Sequence, residues 1–139
     1  MIRNGLLLGS LLLVAACATT PEPDLDRVLA GESQVSGSAL DRRIAAAERH
    51  PLGSRENPVR AQMPAGQRAY LQRLRCSDGR APTFGRIGNY GVGVYGNIID
   101  GYDVNCGAAA PGRVEIIMDM YHPGHVENRP VPGFTIVPS

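Results

Sequence analysis

Met118 to Glu127 reads MDMYHPGHVE and brings Asp119, Tyr121, His122, His125 and Glu127 close together. Two imidazoles three residues apart across a Pro123-Gly124 turn can both reach one metal ion, with Asp119 or Glu127 as a third ligand. A zinc ion held that way keeps one position open for water and lowers the pKa of that water, the chemistry of a metal-assisted hydrolase. The context is thin, however. There is no H-E-x-x-H helix, and the remaining histidine, His50, stands before Pro51. Loops of this kind also serve structurally, with histidine and tyrosine side chains bonding backbone groups at a strand end. No serine has nucleophile-elbow glycines around it. The expectation is therefore a protein with no catalytic residue, no cofactor and no metal, and a hydrolase centred on His122 and His125 is the alternative. Arg86, Tyr90, Tyr95, Asp119, Tyr121, His122 and His125 are the candidates for a ligand-facing surface, since binding residues gather on loops held by a scaffold.

A second stretch, Gly91-Val92-Gly93-Val94-Tyr95-Gly96, matches G-x-G-x-x-G in form. The dinucleotide fingerprint works only where a strand delivers its glycines to a helix N-terminus, whose free N–H groups meet the pyrophosphate. Here FGRIGNY lies upstream, too rich in glycine for a buried parallel strand, and the strand-like NIIDGYDV lies downstream. The glycines at 85, 88, 91, 93 and 96 suit a mobile or tightly turned loop entering a sheet. No nucleotide is expected.

The elements that would carry these residues are mostly strands. Arg113 to Tyr121 alternates, with Val114, Ile116, Met118 and Met120 facing one way and Arg113, Glu115 and Asp119 the other, as in an antiparallel strand with one buried side. Val94 to Cys106 carries Val94, Ile98, Tyr102, Val104 and Cys106 at even positions; the period runs unbroken across Asp100-Gly101, which favours one long strand over a hairpin. Residues 107–112 make the loop between these two strands, and FTIV at 134–137 is a last short strand closing the sheet. Arg68 to Cys76 reads either as a helix, with Tyr70, Leu71 and Leu74 on one face, or as a strand before a Ser77-Asp78-Gly79 turn. The strand reading is adopted. One short N-terminal helix is expected after Ser38 as N-cap, with Leu40, Ile44 and Ala47 in one stripe and Pro51 blocking its continuation. The expected class is mainly β (α+β): a small antiparallel sheet or sandwich with one helix and a single disulfide.

Of the three cysteines, Cys76 and Cys106 form an even pair on the interior side of their strands, and one disulfide between them is expected in an oxidising compartment. The formal charge is only +1, and every cationic side chain is arginine, scattered along the chain. That leaves no basic surface for nucleic acid.

The N-terminus is the most specific segment. Arg3 supplies positive charge, and Gly5 to Ala16 is an uncharged Leu-rich run well short of the about 20 apolar residues that span a bilayer core, as in a secretory signal peptide. Val14-Ala15-Ala16-Cys17 resembles the lipobox of bacterial lipoproteins. That resemblance implies cleavage before Cys17, acylation of its thiol, and, with Ala18 and no aspartate next to it, sorting to the outer membrane facing the periplasm. The implied organisation is a signal peptide at 1–16, a lipidated flexible tether at 17–37 that is polar and carries two prolines, and a periplasmic domain at 38–139. The domain is similar to small proteobacterial envelope proteins, a resemblance that implies no activity. The expectation is a lipid-anchored cell-envelope protein acting as a non-catalytic binding or structural module. Its partners would be the membrane, through the lipid, and an envelope protein, peptidoglycan or a small ligand.

Overall fold

A central antiparallel hairpin organises the chain, and a computed structural model describes it over residues 22–139. The segment expected to be a signal peptide, and Cys17, lie outside the described residues. The elements in chain order are α1 (Leu25–Leu29), α2 (Gly37–Ala47), β1 (Val59–Arg60), α3 (Met63–Arg73), β2 (Leu74–Arg75), β3 (Thr83–Val92), β4 (Ile98–Asn105), β5 (Arg113–Asp119) and β6 (Thr135–Ile136). Four strands form one sheet in the order β1-β5-β4-β3, antiparallel except for the β1–β5 edge pair, and β2 with β6 makes a separate two-stranded ribbon. The mainly β, α+β class with one disulfide stands as expected; two further helices and the parallel pair add to it.

Alternation sets the two faces of the sheet, but both are covered at its centre. Ile99, Ile117 and Asp119 on the second face are buried as well, so β5 does not have the single buried side expected. Ile116 and Met118 of β5 and Tyr102 and Val104 of β4 point into the core, where they meet Val59, Tyr70, Leu71, Leu74, Cys76, Val131 and Phe134. The register runs without a break from Ile99↔Asp119 to Asn105↔Arg113, so Asp100-Gly101 sits mid-strand and forms no turn. Cys76 and Cys106 are joined with their Cα atoms 5.8 Å apart, Cys76 within the core and Cys106 against it.

Several expectations are corrected, and the strand expected from Val94 begins only at Ile98. Arg68 to Cys76 is not a strand: residues through Arg73 belong to α3, and only Leu74–Arg75 are extended. Pro64 starts that helix with a preset φ and no donor to waste, and its Tyr70–Leu71 face, continued by Leu74, covers the sheet. The glycines at 85, 88 and 91 do not form a loop, because they lie within the edge strand β3, and only residues 93–97 turn. FTIV does not close the main sheet; Thr135–Ile136 pairs with Leu74–Arg75 instead. Of the tether expected at 17–37, the part from Asp24 onward is folded. Asp24 caps α1 through the N–H groups of Asp26 and Arg27, Asn97 Oδ1 accepts from the Gln34 N–H at 2.7 Å, and Ser33 is buried. Residues 24–37 are thus part of the fold, held by polar contacts that leave no apolar period to read. The helix after them begins at Gly37, with Ser36 as its N-cap in place of Ser38.

Candidate functional site

The face of β3 and β4 that runs beyond the core borders an open groove of about 420 Å³. Its helix wall is Pro64, Gln67 and Arg68 at the start of α3, and its strand wall is Phe84, Gly85, Arg86, Asp100 and Tyr102, with Met120 also lining it. Asp100 occupies a core-facing position of β4 and is almost wholly buried. An unpaired buried carboxylate is costly, and here it is paired. Arg86 Nη2 donates to Asp100 Oδ1 at 2.6 Å, and Gln67 Nε2 donates to Asp100 Oδ2 at 3.3 Å. The Gln67 carbonyl oxygen in turn accepts from the Tyr102 hydroxyl at 2.9 Å. The carboxylate beside Arg86 raises the pKa of the guanidinium further, and burial raises the Tyr102 hydroxyl. Every polar group of this relay has a partner, so the groove is a preformed surface. Arg68 is exposed at its rim, and its side chain makes no hydrogen bond or ion pair among the described residues.

The seven residues singled out in the sequence do not converge. Only Arg86 lines the groove. Tyr90 lies on the other face, its ring over Gly101, its hydroxyl donating to Glu115 at 2.7 Å, and the Arg55 guanidinium 5.6 Å from the ring centroid. The Glu115 bond raises the pKa of the hydroxyl. Tyr95, Asp119 and His122 are buried together. Both Asp119 oxygens accept from Asn97 Nδ2, at 2.9 and 3.2 Å, Oδ1 also accepts from the Tyr121 N–H at 3.0 Å, and His122 Nε2 stands 3.4 Å from Oδ2. The Tyr95 ring meets the His122 ring edge-on at 5.1 Å, and burial pushes its hydroxyl up to about 12. Tyr121 is buried as well.

His125 belongs to a different arrangement, in which its Nε2 is 3.7 Å from Glu127. Arg129 clamps Glu127 with three bonds of 2.9–3.0 Å and reaches Glu48 at 2.6 Å. The two histidines therefore face separate carboxylates, and no group of three or more potential metal ligands occurs among the described residues. The shared ion imagined for His122 and His125 lacks a ligand set.

Glu127 carries a testable consequence. Burial works to raise its pKa, but His125 and the bonds from Arg129 outweigh burial and hold the carboxyl well below the usual carboxylate range. At 3.7 Å the His125 contact exceeds hydrogen-bond length, so the Arg129 bonds are the stronger influence. A carboxyl with a depressed pKa in the folded state stabilises fully above its ordinary value of 4.5 and loses that contribution as pH falls below it. Unfolding midpoints measured from pH 6 to pH 3 should fall more steeply in the parent than in Glu127→Gln; parallel curves would show that the clamp does not stabilise the fold.

The polar groove residues that sequence reading missed as site residues are Gln67, Arg68, Asp100 and Tyr102. Asp100 had a signal, being the one carboxylate at an even position between Ile98 and Tyr102 on an otherwise apolar face. Gln67 and Arg68 had none while the stretch beginning at Arg68 was read as a strand. No family model, curated protein or solved structure matches this chain.

Proposed function

We propose that this chain is a lipid-anchored protein of the bacterial cell envelope, fastened through Cys17 to the outer membrane on its periplasmic side, and that it acts by binding. The observation behind the binding reading is the groove beside α3. It is open, is lined in part by the apolar Pro64, Phe84 and Met120, and carries oriented polar groups that are already satisfied, the usual character of a preformed ligand site. Two features support the envelope reading: the lipobox-like Val14-Ala15-Ala16-Cys17, and a disulfide of a kind that persists in oxidising compartments. One acyl chain holds a protein only marginally on a bilayer, whereas two or more hold it stably, so modification at Cys17 would fix its address.

Both halves can be tested in one strain series. The full chain carries a photoreactive benzoyl-phenylalanine in place of Pro64 on the groove wall, or in place of Asp41 on α2 as a control. Illumination of intact cells should give adducts at position 64 and none at 41, all in the membrane fraction and on an acylated chain. Cys17→Ser should remove the acyl mass and release the protein from that fraction. A parent chain without acyl mass would defeat the anchoring reading, and equal adduct yields at 64 and 41 would defeat the groove.

A further inference from the structure

The edge of the sheet beside the groove has one end closed and one end open. At the closed end the Tyr90 carbonyl accepts from Arg55 Nη2 at 2.9 Å, and the Gly91 N–H donates to Asn89 Oδ1 at 2.6 Å. From Thr83 to Gly88, β3 pairs with β4 on one side and has no backbone partner on the other among the described residues. Natural sheets blunt such edges with Pro, charged side chains, bulges or short strands. This edge strand is ten residues long and contains no Pro, and from Thr83 to Arg86 it runs in unbroken register with β4 before a shift at Ile87. Its open end is also the strand wall of the groove, with the first turns of α3 opposite. A free strand edge alongside a helix is the geometry in which an extended peptide adds to a sheet, with main-chain bonds giving affinity and side-chain pockets giving specificity. Gly85 strengthens the case, since a Cβ added there would meet nothing within 4 Å.

Charge narrows the occupant. Among the groove residues Arg86 is neutralised by Asp100, leaving the unpaired Arg68 as a surplus of one positive charge beside the apolar Phe84 and Met120. We propose that the groove takes an extended peptide segment bearing an acidic group, which pairs as an added strand with Thr83–Gly88 and sets its carboxylate against Arg68. This rests on the groove being the binding site proposed above and adds the class of its ligand.

The test is panning of a random decapeptide display library against the full-length protein in detergent micelles. The strongest binder is then resynthesised with backbone N-methyl groups at odd positions only, or at even positions only. In a strand every second N–H faces the edge strand and the others face away. One N-methylated set should bind at least tenfold more weakly, and the other within twofold of the parent peptide. Arg68→Glu should cost at least tenfold, and in that variant replacing the peptide's acidic residue by its amide should recover part of the loss, because it removes the carboxylate–carboxylate repulsion. Arg68 is exposed and without side-chain bonds, so the substitution leaves the fold intact, as an unchanged melting temperature would verify.

Equal losses from both N-methylated sets, with Arg68→Glu still damaging, would overturn strand addition and leave the groove as a site. Failure to select any peptide would overturn the peptide assignment, and photoadducts at position 64 would then still uphold a groove ligand of another class. A protein that sediments as a dimer through β3 without peptide would assign the edge to a second copy and overturn the proposal.

Discussion

Asp119→Ala should unfold this protein more readily than any other single change to a polar residue. The carboxylate is fully buried and receives both Asn97 hydrogen bonds and the Tyr121 N–H, with His122 beside it. Removing it strands those three groups in a space that water does not reach. Each buried donor left without a partner costs about 1–3 kcal/mol, so stranding the Asn97 amide and the Tyr121 N–H together should cost about 2–5 kcal/mol. Asp119→Asn keeps the volume, but its single carbonyl oxygen can replace only one of the two acceptors, and its amide meets the Asn97 amide donor to donor. Its cost should be smaller, about 1–3 kcal/mol. Urea denaturation of the two variants beside the parent reads this order directly. Equal stability of Asp119→Ala and the parent would mean that the cluster is not the latch that joins the segment around Ser33 to the hairpin turn at Asn97.

The second large effect belongs to the disulfide. Cys76 and Cys106 are 30 residues apart, and the loop they close contains all of β3 and β4. Joining them restricts the unfolded chain, and for a loop of this length the chain-entropy account gives about 3.5 kcal/mol. The double variant Cys76→Ser, Cys106→Ser should lose that amount. In a domain of this size the loss corresponds to a melting temperature lower by roughly 10 °C or more. Reductant should lower the parent's melting temperature by a similar amount and leave the double variant unaffected. A parent that melts identically with and without reductant would show that the link contributes nothing. The loss bears on the groove too, because β3 supplies its strand wall and, among the described residues, pairs strand to strand with β4 alone.

Much of the framework was legible where a single physical pattern dominated. The even positions of Arg113 to Tyr121 made β5 readable, and the unbroken period across Asp100-Gly101 ruled out a hairpin there, as the register confirms. Gly101 is at that position for a reason the period cannot convey: a Cβ there would come 2.6 Å from the Tyr90 ring. Reading failed where two patterns were equally consistent. Tyr70, Leu71 and Leu74 satisfy a helix, and Tyr70, Leu74 and Cys76 satisfy a strand; the sheet decided between them by needing a covering layer. The glycines of β3 failed differently. Glycine is weakly strand-forming in isolation, yet β4 imposes extended pairing on β3 through Phe84↔Val104 and Asn89↔Asp100. The candidate site failed for a third reason. Grouping by nearness in sequence joined His122 to His125, whereas alternation and turn geometry sent the first into the Asp119 cluster and the second to Glu127.

Local chemistry was thus enough to establish the class of fold, the two cysteines that pair, the strand phases of β4 and β5, and the expectation of a lipid-modified N-terminus. All of these depend on residue type and on contacts close along the chain. Tertiary structure alone revealed that Gln67, Arg68, Arg86, Asp100 and Tyr102 share one groove, and that Ser33 reaches Asn97. Those residues come from separate elements, and their proximity arises only when the apolar faces of α3 and the sheet are buried against each other. No spacing along the chain records that event.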